Sequence, residues 1–98
     1  MTVPADIERF IARRFKASDV EEALALVQSA TIHDGSPAGS RLVRCAVVAS
    51  RASIERLRRE IELLRQDYRD VIVAGEYVSK GGQLVKAHNF NEPIADEV

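Results

Sequence analysis

The chain has 98 residues, of which 46% are hydrophobic and 30% are charged, and one cysteine. This composition predicts a single folded domain rather than a disordered chain. No stretch approaches the roughly 20 apolar residues of a membrane-spanning helix, and the N-terminal residues lack the pattern of a secretory signal. One cysteine cannot form an internal disulfide, which is typical of a reducing compartment. We therefore expect a cytoplasmic protein.

The charges nearly cancel, because 14 basic and 15 acidic residues give a formal net charge of −1. A protein that binds nucleic acid usually carries a surplus of positive charge, since neutralising phosphates drives the binding. Eleven of the basic residues are arginine, a residue type that favours ion-pair networks and interfaces. The charge balance therefore makes nucleic-acid binding a secondary hypothesis.

Apolar residues at helical spacing predict a first helix over residues 4–16 and a second over residues 18–30. Pro4 suits the first turn of a helix, where its missing N–H costs nothing. Ser18 and Glu21 match a capping box at the start of the second helix. The apolar residues are Ile7, Phe10, Ile11 and Phe15 in the first helix, and Val20, Ala23, Leu24, Val27 and Ala30 in the second.

Residues 31–39 read TIHDGSPAG, and their glycine and proline content predicts a loop. The apolar run that follows, residues 42–49, has two interpretations, because periodicity alone does not assign so short a run. Its three valines favour a strand. Leu42, Cys45 and Ala49, in contrast, would share one face of a helix. Both interpretations stay open at this point.

Residues 53–66 are predicted to form a helix that Ser53 caps and that i,i+4 pairs of arginine and glutamate stabilise. Apolar residues recur here at alternating steps of three and four, which places them on one stripe of the helix. Such a stripe packs against the rest of the fold or against a second copy of the chain. Its members are Ile54, Leu57, Ile61, Leu64, Tyr68 and Val71.

Asp67 is expected to cap a further helix over residues 67–78. Residues 71–77, VIVAGEY, are ambiguous because the first three favour a strand and the next three do not. Two consecutive glycines then end the structured part. Residues 81–98 are predicted to form an extended or partly disordered tail.

The predicted fold is all-α: a bundle of four to five short helices in one domain, residues 1–80, followed by the tail. The alternative is an α+β domain, in which residues 42–49 and 71–78 are strands around helix 53–66 and the two glycines turn a C-terminal hairpin. The five predicted helices cover residues 4–16, 18–30, 41–50, 53–66 and 67–78.

The predicted core consists of the apolar residues that share one face of each helix. Cys45 belongs to it, because a free cysteine in an apolar run behaves as a small hydrophobic residue. The predicted core residues are Ile7, Phe10, Ile11, Phe15, Val20, Leu24, Val27, Leu42, Cys45, Ala46, Ala49, Ile54, Leu57, Ile61, Leu64, Tyr68, Val71 and Ile72.

Four segments between residues 41 and 77, which read RLVRCAVV, SIERL, DYRDVI and AGEY, resemble a group of small bacterial proteins that have no assigned activity. That group shows a leucine-rich helix followed by an ending similar to D-[YW]-R-D-V-[IL]-x-x-A-E-[YF]. The chain departs from the pattern at Gly75, where an alanine-like residue is expected. The resemblance implies helices for both ambiguous segments, and it implies no catalytic residue, ligand or partner.

The DYRD run is the best candidate for a specific role. Asp67 and Asp70 flank Arg69, so capping and internal ion pairing explain the run without any partner. A recognition patch is the competing interpretation, because tyrosine and arginine are enriched at interface hot spots. The candidate interaction patch comprises Tyr68, Arg69, Asp67, Asp70 and Glu76.

An enzyme or small-ligand site would use His33, Asp34 or Cys45. A catalytic triad needs residues held by separate fixed elements, which one loop does not supply. Two distant histidines and one cysteine do not provide the three or four ligands of a zinc site. No glycine-rich phosphate-binding motif occurs either. We expect no catalytic residue, no cofactor and no metal.

The sequence therefore favours a non-enzymatic protein-interaction or structural module whose protein partner is unknown. A homodimer would form through Ile54, Leu57, Ile61 and Leu64 of the apolar stripe. The first alternative is a nucleic-acid-binding module that uses the arginines of helix 53–69 and its flank, and an enzyme is the second. The arginines concerned are Arg51, Arg56, Arg59, Arg65 and Arg69.

Overall fold

Four helices followed by a two-stranded antiparallel sheet make up the computed structural model, which describes residues 3–95 and residue 98. The predicted all-α class is right for most of the chain, and the C-terminal hairpin of the α+β alternative is present as well. Within the described residues, no helix has the length and apolar character needed to cross a membrane. The elements are α1 (Ala5–Arg14), α2 (Ala17–Gln28), α3 (Ser40–Ala49), α4 (Ile54–Glu76), β1 (Tyr77–Lys80) and β2 (Gln83–Lys86).

The structure assigns both ambiguous segments to helices. Residues 42–49 lie within α3, so the strand interpretation of this run is wrong. Five consecutive residues, 43–47, are buried, because α3 is covered by neighbouring parts of the fold on several sides. Packing of this kind outweighs the weak strand preference of valine. Residues 71–76 are helical as well, and the strand β1 begins only at Tyr77.

The predicted helices 53–66 and 67–78 form one element, α4, with a kink between them. Asp67 has non-helical backbone angles, with φ −155° and ψ 95°. Its carboxylate accepts a hydrogen bond from the Arg69 N–H at 3.1 Å, which restarts the helix as the sequence predicted. At the other end, the Ser53 hydroxyl accepts from the Arg56 N–H at 3.3 Å, so the predicted cap is confirmed.

The predicted capping box of α2 is wrong. The N-cap is Lys16, which makes no side-chain capping bond, and Ser18 lies inside the first turn. The Lys16 carbonyl accepts a hydrogen bond from the Asp19 N–H at 2.8 Å, so the helix has already begun before Ser18. The serine hydroxyl is therefore past the position from which it would cap the first turn.

The apolar stripe of α4 packs inside the chain. Leu57 and Leu64 are fully buried, and α4 makes its most extensive contacts with α3. Some residues of the predicted core are only half-buried: Phe10, Val20, Leu24, Leu42, Ala49, Tyr68 and Ile72. Conversely, the core includes buried apolar residues that were not predicted: Val3, Ala23, Ala30, Ala38, Val43, Val47, Phe90 and Ile94.

The segment after the hairpin lies on the helices. Residues 87–95 contain no helix or strand, yet Phe90 and Ile94 are buried in the common core. The hairpin itself spans the predicted boundary between residues 80 and 81. The C-terminal segment therefore completes the core and is joined to the base of the hairpin through Glu76.

Candidate interaction site

Exposed large apolar side chains are concentrated at the end of α4 and in the hairpin. Leu84 is 64% exposed, and Val73, Val78 and Val85 are each between 40% and 42% exposed. Among the described residues these are the exposed large hydrophobic side chains, and they fall within 13 consecutive positions. Single exposed apolar residues are common, whereas several within one short segment make that segment a candidate for contact with another molecule.

The hairpin has a regular register. Val78 pairs with Val85, and Ser79 pairs with Leu84. Because successive side chains of a strand point to opposite faces, the two valines share one face and Leu84 lies on the other. Gly81 and Gly82 form the turn with φ angles of 56° and 80°, a conformation that glycine adopts without steric cost.

The strands of the hairpin pair only with each other. Within the described residues, no backbone hydrogen bond joins the outer edge of either strand to another part of the chain. At the base, the N–H groups of Ala87 and His88 donate to the Glu76 carbonyl at 2.7 and 3.1 Å. The hairpin is therefore fixed at its base and open along both edges.

A buried carboxylate holds that base. The Glu76 side chain is fully buried and accepts two hydrogen bonds from Arg41, at 3.0 Å from Nε and 2.9 Å from Nη2. The Phe90 N–H donates a further bond at 3.1 Å. The hydrogen bonds from Arg41 lower the pKa of Glu76, against the opposing effect of burial, and the Phe90 bond assists. Glu76 therefore stays ionised and links α3, α4 and the C-terminal segment.

A second ion pair attaches the same segment to α1. Arg44 donates to both carboxylate oxygens of Asp6, at 2.9 and 3.1 Å, and to the Phe90 carbonyl at 3.2 Å. The Ile94 N–H donates to Asp6 at 3.0 Å. Burial raises the pKa of Asp6, but the hydrogen bonds from Arg44 and Ile94 outweigh it and leave the pKa lowered. Charge-assisted hydrogen bonds thus hold the C-terminal segment at Phe90 and at Ile94.

Helices α3 and α4 approach closely just before this base. A Cβ atom built on Gly75 would lie 2.6 Å from the Cα atom of Cys45, closer than packed atoms allow. The departure from the alanine-like pattern at Gly75 therefore has a packing reason. Cys45 is itself fully buried, and burial together with the charge of Glu76 raises the pKa of its thiol to about 12. Its environment is that of a structural cysteine.

The predicted patch of the DYRD run divides into separate environments. Arg69 is 78% exposed and pairs with Asp67, whose carboxylate also accepts the capping hydrogen bond from the Arg69 N–H, while Asp70 is exposed. The half-buried Tyr68 stacks on His33 with 6.3 Å between ring centroids. Glu76, in contrast, is buried in the base of the hairpin. Tyr68, Arg69 and Asp67 therefore belong to the kink, and Glu76 belongs to another site.

The residues of the enzyme hypothesis have structural partners. The Asp34 carboxylate accepts from the hydroxyl and the N–H of Ser36, at 2.6 and 2.9 Å, and these bonds lower the pKa of Asp34. They form a local turn within the loop. Across the residues that the structure describes, no group of three histidine, cysteine or acidic side chains is placed to hold a metal ion.

Several arginines of α4 lie in exposed ion pairs rather than in a free basic surface. Arg58 pairs with Glu22 and Arg65 pairs with Glu62. Arg56 and Arg59 line a shallow groove beside α4, together with Glu60, Leu63 and Gln66. Burial raises the pKa of Glu60. The groove therefore presents both signs of charge.

Comparison of the chain with protein-family models, with curated proteins and with solved structures found no match. The resemblance to the group of small bacterial proteins stays a prediction. The hairpin is the most distinctive part of the candidate site, and sequence reasoning placed a hairpin there only in the α+β alternative.

Proposed function

We propose that the protein is a non-enzymatic protein-interaction module and that the β-hairpin is its contact surface. The observation that carries the proposal is a hairpin with open edges that exposes apolar side chains on both faces, Val78 and Val85 on one and Leu84 on the other. Exposed strand edges are prone to unwanted pairing, and proteins usually keep them short, cover them or charge them. The short strands and the two lysines, Lys80 and Lys86, limit unwanted pairing here, while the exposed apolar side chains stay available to a specific partner.

The base of the hairpin supports the same interpretation. A two-stranded hairpin is marginally stable by itself in water. Here Glu76 fixes one end of it to α3 through Arg41, and the Phe90 N–H bonds to the same carboxylate. This arrangement presents the hairpin in one orientation, which reduces the entropy that a partner must remove on binding.

The predicted homodimer needs a different surface from the one that the sequence suggested. Ile54, Leu57, Ile61 and Leu64 are 0–9% exposed within the single chain. A dimer through these residues would require the bundle to open and expose its own core. Self-association therefore stays a prediction, and the hairpin is the surface on which it would be sought.

Nucleic-acid binding is the second candidate, since Arg56 and Arg59 line an open groove beside α4. The ion pairs of Arg58 and Arg65 weaken this candidate because they neutralise part of the same helix. Binding to phosphates would weaken steeply as salt is added. Affinity that is absent at low salt, or insensitive to salt, would remove this candidate.

The proposed function is tested by a quantitative pull-down from the native cell with three forms of the full chain as bait. We compare the wild type, Leu84→Ser in the hairpin and Arg65→Ser on α4, each checked for folding by circular dichroism. Leu84→Ser should lose at least one protein that the wild type and Arg65→Ser both retain. Identical protein sets from all three baits would contradict the proposal.

A further inference from the structure

We propose that the hairpin accepts an extended acidic segment of a partner protein, which adds as a third strand along the outer edge of β2. The inference rests on the proposed function and specifies the chemistry of the partner. Strand addition supplies affinity through main-chain hydrogen bonds and specificity through alternate side chains. The edge, the exposed side chains and the charges of the hairpin each support it.

The outer edge of β2 is the more accessible of the two. All four residues of β2, Gln83–Lys86, are exposed, whereas β1 begins at the half-buried Tyr77. In an antiparallel pair, the backbone groups of a strand alternate between its partner and its free side. The free side of β2 has no backbone partner in the described part of the chain. It therefore offers donors and acceptors to an incoming strand.

The side chains of β2 fit such a strand on both faces. Leu84 is 64% exposed on one face, and Val85 is 40% exposed on the other. An added strand would place its own side chains opposite these two residues. Apolar pairs across neighbouring strands contribute roughly 0.2–1 kcal/mol each relative to alanine pairs.

The charges of the hairpin select an acidic strand. Lys80 and Lys86 are the charged residues of the segment Tyr77–Lys86, and the sequence of this segment contains no carboxylate. Lys86 is 44% exposed, and its Nζ atom lies 3.8 Å from the buried Glu76 carboxylate, which Arg41 already satisfies. Lys86 lies on β2 beside the added strand, whereas Lys80 lies on β1, one strand farther away, and adds to the positive potential of the hairpin. Opposite charges on neighbouring strands stabilise pairing and like charges oppose it.

These features favour a partner segment over a second copy of the chain. Two copies joined through their hairpins would bring together four lysines and no carboxylate from the paired strands. The hairpin and its turn comprise ten residues, Tyr77–Lys86, whereas a stable protein interface takes about 20–30 residues from each side. A short linear segment needs no larger surface than the hairpin provides.

The test is an NMR titration of the full chain with synthetic peptides. The probe is an eight-residue capped peptide of alternating valine pairs and glutamate pairs, which places both residue types on each face of the strand. Two matched peptides carry lysine in place of glutamate, or proline in place of a central valine, which removes a backbone donor. We expect the acidic probe to shift amide signals most strongly at Gln83–Lys86 and to bind at least ~10-fold more tightly than either control peptide.

Two charge reversals test the role of the hairpin lysines. Lys80→Glu should weaken the acidic probe by about threefold, because Lys80 lies on β1 and is separated from the added strand by β2. Lys16→Glu makes the same change of charge at the corner between α1 and α2, and it should leave binding within about twofold. Lys80 is chosen over Lys86 because Lys86 also contacts the buried Glu76.

Several results would overturn the inference. They are an absence of binding, shifts centred outside β2, equal binding of the lysine or proline peptide, or equal effects of the two charge reversals. A dimer in sedimentation analysis that Leu84→Ser disperses would identify a second copy as the occupant instead. If the titration fails while the pull-down still distinguishes Leu84→Ser, strand addition is wrong and the interaction module stands. If neither the titration nor the pull-down gives the expected result, strand addition and the interaction module are both wrong.

Discussion

Gly75 lies on α4 where it packs closely against α3. A β-carbon at this position would lie only 2.6 Å from the Cα atom of Cys45 on α3. Glycine usually weakens a helix by about 1 kcal/mol relative to alanine, so helix propensity alone favours alanine at this position. Close packing reverses that expectation. The atoms in the way belong mainly to the backbone of Cys45, which a side-chain rotation does not move aside.

Gly75→Ala should lower the free energy of unfolding by about 1–3 kcal/mol through overpacking. Urea denaturation with circular dichroism measures the change. Ala74→Gly is the matched control at an exposed position on the same helical turn, and it should cost about 1 kcal/mol through propensity alone. A Gly75→Ala variant as stable as the wild type would mean that the two helices lie farther apart.

Cys45 should be chemically inert in the folded protein. Its side chain is fully buried and the pKa of its thiol is raised to about 12, so almost no thiolate is present or accessible at pH 8. Iodoacetamide at pH 8 should modify it only as fast as the chain unfolds. Rapid labelling in native buffer, at the rate found in urea, would contradict this placement.

At the scale of elements, the C-terminal segment is attached by two carboxylates with lowered pKa values, Glu76 and Asp6. A carboxyl whose pKa is lower when folded binds protons more readily when unfolded. Its contribution to stability is therefore fully present above the unfolded pKa, about 3.9–4.3, and is lost as the pH falls through the folded value. The segment and the base of the hairpin should loosen together in acid.

Glu76→Gln should lower the free energy of unfolding by about 2–3 kcal/mol at pH 7. This is less than the 3–5 kcal/mol of a fully buried pair, because Arg41 remains 37% exposed. Urea denaturation at pH 7, 5 and 3 should also show a weaker acid destabilisation in this variant than in the wild type. The control is Glu62→Gln in an exposed pair, which should change stability by less than ~1 kcal/mol.

Two results would contradict this account of the base. One is a wild-type stability that does not change between pH 5 and pH 3. The other is a Glu76→Gln variant that loses as much stability in acid as the wild type does. Hydrogen exchange at the Phe90 N–H gives a local readout, since that group donates directly to Glu76.

At the scale of the whole molecule, the sequence predicted most of the helices because their apolar residues follow a clear period. The stripe through Leu57 and Leu64 and the cap at Ser53 are confirmed. Residues 42–49 were ambiguous because the apolar run is short and its three valines favour a strand, and its one polar residue, Arg44, is buried in the structure. The other helices could therefore be predicted from the sequence with less ambiguity than α3.

The site was less predictable, because it depends on contacts between residues far apart in the chain. Arg41 and Glu76 are 35 positions apart, and Arg44 and Asp6 are 38 positions apart. Local residue spacing in the sequence does not predict either of these ion pairs. Phe90 and Ile94 likewise occur singly in a polar segment, so no period marks them as core residues. The one local signal was the glycine pair at the turn, flanked by short apolar runs.

The most direct measurement of the central claim is photo-cross-linking in the native cell with a photoreactive residue placed at Leu84. The same residue at Arg65 on α4 serves as the control. If the hairpin is a contact surface, position 84 should give a discrete cross-linked species of defined mass that position 65 does not give. Equal or absent cross-linking at the two positions would show that the exposed hairpin meets no partner.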